Sequence, residues 1–131
     1  MGTVNWFAVA AAALSSFLIG AIWYGPLLGR VWMRASGVTR EKAAESNLAR
    51  VLGLSFVLQV IAAAVLALFI GADATPSFAV FAAAAVGLFW VAPALGIVGL
   101  FEQRSFTHWA VNAGYHVVAF TTMGVILGLW R

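Results

Sequence analysis

The chain has no cysteine. That excludes a disulfide, a thiol redox centre, the quinone-linked thiol oxidoreductases, and zinc or iron–sulfur held by thiolate. Charge is nearly as scarce. Only 8% of the 131 residues are Asp, Glu, Lys or Arg, against roughly 25% in a soluble domain. There is no His-Glu-x-x-His helix, no glycine-rich phosphate loop and no local Ser/His/Asp arrangement. The chain therefore reads as a non-enzyme that uses no cofactor.

What is present is apolar. Hydrophobic residues make up 64% of the chain. They gather in four stretches, Val4–Tyr24, Val51–Ile70, Phe78–Leu100 and Trp109–Trp130, none containing Asp, Glu, Lys or Arg. Each is near the roughly 20 residues that an α-helix needs to cross a bilayer core of about 30 Å. The expected fold class is all-α: a single polytopic domain over residues 1–131, with four transmembrane helices. The first stretch has no positive residue ahead of it, so it is read as a retained span rather than a secretory signal.

The formal net charge is +3. In a membrane protein this reflects where basic residues sit relative to the bilayer, not a nucleic-acid partner. Arg30, Arg34, Arg40, Lys42 and Arg50 lie between the first and second stretches, and Arg104 between the third and fourth. The opposite end has only Arg131, with Asp73 in its short loop. Basic residues are retained in the cytoplasm, so both termini are expected outside it, in one orientation. Trp6 and Trp130 then mark the outer ends of the spans, and Trp23, Tyr24 and Trp109 the inner ends, as amphipathic rings at headgroup level. Trp90 falls mid-span, where its N–H needs a carbonyl.

The connection after the first stretch carries its own signals. Gly25-Pro26 ends the helix. Leu27, Leu28, Val31 and Trp32 then share one helical face, with Arg30 and Arg34 apart from it. This predicts a short amphipathic helix at the membrane surface. It is either a solvated elbow or a surface for a partner or lipid. Ser36-Gly37 breaks it, and Thr39 can cap another short helix with Glu41 in its first turn.

Small residues every four positions allow helices to approach closely in lipid. Ala8, Ala12, Ser16 and Gly20 form one such strip, Ala79, Ala83 and Gly87 a second, and Gly124 and Gly128 a third. They serve either the bundle itself or a homo-oligomer. Pro93 removes a backbone hydrogen bond inside the third span and predicts a kink.

The most suggestive chemistry is on the last helix. His108, Asn112 and His116 recur every four residues and line one face. Polar groups in hydrocarbon normally turn to the bundle interior or to water. Tyr115 adds a hydroxyl beside them, and Gln59 and Ser55 can reach across from the second span. Asn5 reads as a helix cap. Three readings stay open: a network that fixes helix register, a site or path for a small solute or proton, and metal or haem ligation. The two histidines are about 12 Å apart along the axis, so only symmetry-related copies of His116 could share an ion. Glu102 and Arg104 read as a pair that locks a turn.

Several of these residues resemble a bacterial family of small membrane proteins catalogued as domain of unknown function 1761. The matching pieces are Asn5-Trp6, the run from Gly20 through Trp23-Tyr24 to Pro26-Leu27, Trp32-Met33, Phe101 to Ser105, and Asn112 with Gly114-Tyr115-His116. The resemblance implies four spans in a bacterial inner membrane and supplies no activity. It draws attention to Trp23, Tyr24, Glu102, Arg104, Asn112 and His116. The small multidrug exporters do not fit, since they need a glutamate in their first span and this one has no acid.

Overall fold

The computed structural model describes residues 4–130. No strand occurs among them. Helix α1, Trp6–Ile22, starts at Asn5, whose Oδ1 accepts from the N–H groups of Phe7 and Ala8, supplying partners that a helix start lacks. It runs into one wider turn, Trp23–Leu27, so the whole span is Trp6–Leu27. Two short helices follow, α2 over Gly29–Ser36 and α3 over Arg40–Glu45. Gly37, at φ 77°, ends α2 in the left-handed region, where glycine carries no Cβ penalty. Thr39 accepts from Lys42 N–H at the start of α3, as expected.

The second span is α4, Leu48–Ile70. The third, Pro76–Phe101, consists of α5 (Pro76–Val86), a second wide turn (Gly87–Val91) and α6 (Ala92–Phe101). The fourth is α7, Phe106–Leu129. Gly25, at φ −101° and ψ −107°, leaves helical geometry where Gly25-Pro26 is expected to end the first helix. The second and fourth spans begin three residues before the predicted limits, at the basic end, because Asn47 and Ser105 cap them there. Asn47, Thr75 and Ser105 cap α4, α5 and α7.

Both wide turns sit against a proline. Proline lacks an N–H, and its ring clashes with the carbonyl four residues earlier. A turn of i→i+5 bonding gives the carbonyls a different register. Leu28 N–H accordingly reaches back to Trp23 O across Pro26, and Ala92 N–H to Gly87 O just ahead of Pro93. Around Pro93 the predicted kink takes the form of this local widening.

The four spans run alternately up and down. Asn5 Nδ2 donates to Trp130 O at 3.4 Å, placing the start of α1 beside the end of α7. The α4–α5 loop shares that terminal end. Arg30, Arg34, Lys42, Arg50 and Arg104 share the other, basic end; Arg131 lies outside the described residues.

Helix α7 packs most heavily, against α5 and α1, while α4 leans mainly on α1. The terminal half is a dry core of small side chains: Ala8, Ala12, Ala13, Ala63, Ala79 and Ala83 are at most 1% exposed. Gly124 and Gly128 let α7 lie directly on α5. A Cβ at Gly124 would stand 2.5 Å from Ala83 Cβ and 2.8 Å from Ala79 O. All three small-residue strips are thus used inside the bundle. Ala12 is fully buried, so Ala12→Leu should cost about 1–3 kcal/mol by overpacking. Thermal unfolding in mild detergent reads this directly, and wild-type stability would place the strip in lipid instead.

The first two turns of α4 behave differently. Every residue from Leu48 to Leu54 is exposed, so the bundle is loose where α4 approaches the basic end.

Candidate functional site

The side-chain network that joins helices lies in the basic half, where α1 meets the wide turn Trp23–Leu27. Trp23 and Tyr24, at the start of that turn, reach α7. The Trp23 indole donates to Val111 O at 2.8 Å and lies over Gly114, where a Cβ would be 3.0 Å from the ring. The Tyr24 hydroxyl donates to Asn112 Oδ1 at 2.6 Å. The Asn112 amide nitrogen is 3.5 Å from His108 Nε2, so His108, Asn112 and Tyr24 form a chain from the basic end inward. Trp32 of α2 closes over Tyr24 edge-to-face, with ring centroids 5.7 Å apart.

One turn deeper, Tyr115 joins three helices. Its hydroxyl accepts from Gln59 Nε2 at 2.7 Å and donates to Ser16 O at 3.0 Å. Gly20 leaves room for the ring, which would lie 3.4 Å from a Cβ there. The Tyr24 and Tyr115 rings are 5.5 Å apart, so the two groups of hydrogen bonds touch. They stop at Ser16. Its Oγ is buried and has no hydrogen-bond partner, although buried hydroxyls are normally satisfied.

The expected stripe is therefore divided. Asn112 and His108 join one bonded group, and Gln59 meets Tyr115 rather than His116. His116 is half-buried, with its ring 4.8 Å from that of Tyr115 and 6.4 Å from that of Phe120. No hydrogen bond joins its ring to any described residue. Ser55 makes none either. Among the described residues no three His, Cys, Asp or Glu gather as metal ligands.

At the basic rim Glu102 and Arg104 pair with each other at 3.7 Å, both well exposed. Arg104 also donates to Ser36 O at 3.1 Å, tying the α6–α7 turn to the end of α2. The turn is tight enough to hold Gln103 at φ 59°.

Three aromatic residues at the basic ends of their spans, read as boundary markers, also bond inward. Trp23 does so through Val111 O; the Trp109 indole donates to Ala92 O at 2.8 Å and rests on Gly96. Tyr24 does the same through Asn112. Trp90 is the reverse: it is 64% exposed, lies 5.8 Å from the Phe69 ring and has no carbonyl partner. Helix α2 is likewise more than a surface elbow, because Gly29 is buried and the helix packs on α7. The sequence held one signal for the inward rings. Gly20, Gly96 and Gly114 each leave a gap that an aromatic face fills.

No curated protein and no solved structure matches the chain. A family model does, over residues 7–128, and its description is "Protein of unknown function (DUF1761)". That match takes in all four spans, the Trp23–Tyr24 turn, the Glu102–Arg104 turn and the whole polar face of α7, and the chain belongs to this family.

Proposed function

We propose that the protein is a non-enzymatic, multi-pass component of a bacterial inner membrane. Both termini lie outside the cytoplasm, and the polar face of α7 forms a site for a small polar solute entering from the basic, cytoplasmic end. The observation that carries this reading is the one-sided network: His108, Asn112, Tyr24, Tyr115 and Gln59 occupy the basic half, and an alanine- and glycine-packed core closes the other. The site contains amide, hydroxyl and imidazole groups and no carboxylate or ammonium. It therefore suits a neutral solute better than an ion. A continuous proton or solute path through one chain fits less well, because nothing polar continues past Ser16 on the network's line. The test is a panel of small neutral polyols and amides, screened by thermal shift. A ligand should raise the unfolding temperature of the wild type and leave Asn112→Leu unmoved. Equal shifts in both would reject the site.

A register-fixing role is the alternative, and one observation favours it: Trp23, Tyr24, Gln59 and Tyr115 all have partners within the chain. His116 separates the two readings. With no hydrogen bond to lose, His116→Ala should cost only its ring packing on Tyr115, about 1 kcal/mol. Loss of solute binding at that cost supports the site; a much larger loss of stability supports the structural role.

Orientation has its own test. The chain has no native cysteine, and Glu45 and Asp73 are exposed at opposite ends. Asp73→Cys should react with an impermeant maleimide in intact cells, and Glu45→Cys only after lysis. The opposite pattern inverts the topology. Self-association is also part of the proposal, through α4. Its basic-end turns are exposed all round, whereas the small-residue strips are already occupied. Leu54→Cys should crosslink between copies; a monomer mass without crosslinks rejects the oligomer and leaves the site untouched.

A further inference from the structure

Two clefts meet at Ser105, where α7 begins. One, of about 260 Å³, lies between α2 and α7 and is lined by Val31, Arg34, Ala35, Ser105 and Thr107. The other, of about 300 Å³, lies between α6 and α7, and its walls include Gly96, Gly99, Leu100, Phe106 and Trp109, with Arg104 and Ser105 at the mouth. We propose that the pair seats one phospholipid with an anionic headgroup, the phosphate between Arg34 and Arg104 and one acyl chain along the α6–α7 cleft.

Three features support this occupant. The first is charge: Arg34 lines the first cleft and makes no hydrogen bond or ion pair with any described residue, so its donors are free for an anion. Arg104 spends one donor on Ser36 O and sits 3.7 Å from Glu102 Oε1, but a guanidinium has five N–H groups. Glu102 lowers the local positive potential without closing the site. The second is depth. Leu100 and Phe106 stand at the ends of their spans, and Gly96 and Trp109 lie about one turn further in. The second cleft thus runs from the boundary into the hydrocarbon layer, as an acyl chain does. The third is shape. Gly99 removes a side chain from one wall, and Arg104 N–H is bonded to Gly99 O at 2.8 Å, which keeps the cationic residue at the mouth of the apolar cleft. A soluble anion would use only the first half of this arrangement; a neutral lipid would use only the second.

Native mass spectrometry of the full chain, released from mild detergent with defined lipids, tests the assignment. Wild type should retain one phosphatidylglycerol about tenfold better than phosphatidylcholine of the same chains. Arg34→Gln should reduce that preference about fivefold, the usual contribution of one basic residue near an anionic headgroup. Gly99→Leu should abolish retention of both lipids with the arginines intact. A Cβ at Gly99 would meet only Arg104 Cβ, at 3.8 Å, so the bundle can accept the larger residue. Glycerol 3-phosphate, which has the anion but no chains, should not displace the lipid. Equal retention of the two lipids, an unchanged preference in Arg34→Gln, or displacement by glycerol 3-phosphate would each overturn the proposal. If Gly99→Leu fails to fold, the Arg34→Gln comparison decides by itself.

Discussion

Gly124→Leu should abolish the folded bundle, and Gly124→Ala should cost it about 1–3 kcal/mol. The reason is backbone contact. A methyl at this position would lie 2.5 Å from Ala83 Cβ and 2.8 Å from Ala79 O, with Val80 Cα at 3.2 Å. No rotamer change moves a carbonyl, so α7 must back away from α5 along its length. In lipid this matters more than in water, because close packing is the main attraction between apolar helices. Ala83→Gly in the Gly124→Ala background removes the methyl contact and leaves the carbonyl contact, so it should restore part of the loss. Gly53→Ala is the control: nothing lies within 4 Å of that Cβ, and helix propensity alone predicts no loss. Denaturation in mild detergent with size-exclusion profiles reads all four variants. A Gly124→Leu protein with a wild-type profile would show that α5 and α7 are not in contact here.

Tyr115→Phe should lower stability by about 1–2 kcal/mol although the ring stays. The hydroxyl is the only atom removed. It receives Gln59 Nε2 and donates to Ser16 O, so one substitution breaks the hydrogen bonds of α7 to both α4 and α1. Gln59 is left half-buried with an unpaired amide, which costs more than the average hydrogen bond gains. The magnitude stays modest because hydrogen bonds between membrane helices average about 0.6 kcal/mol. Gln59→Leu should cost a similar amount. The double variant should cost less than the sum of the two, since no unpaired amide remains. Strict additivity would show that Gln59 and Tyr115 do not interact.

The spans, the Asn5 and Thr39 caps and the reach of Gln59 to α7 were legible in the sequence. Hydropathy over 20 residues and spacings of four carry that information locally. The small-residue strips were legible as strips, but their partners were not: whether Ala79 and Ala83 meet Gly124 or another copy depends on helix order in space. The inward turn of Trp23, Tyr24 and Trp109 was hidden for a different reason. Their acceptors are Val111 O, Asn112 and Ala92 O, and two of these are helix carbonyls that any sequence would offer. A regular 3.6-residue wheel gives the face from which an aromatic ring leaves its helix, but not which neighbouring helix offers it a carbonyl. It also separated His116 from Tyr115 poorly: the two are adjacent, yet one carries the network and the other has no hydrogen bond.

Accessibility of single cysteines along α7 tests most directly whether the polar half is a site open at one end. Variants at His108, Asn112, Ala119 and Met123, in vesicles of known orientation, would be exposed to a small charged methanethiosulfonate from each side. A one-sided site requires His108→Cys and Asn112→Cys to react from the basic end only, with Ala119→Cys and Met123→Cys inert from both. Reaction at Met123, or at Asn112 from the terminal end, would mean a path through the bundle. No reaction at Asn112 from either end would mean a sealed structural network and no site at all.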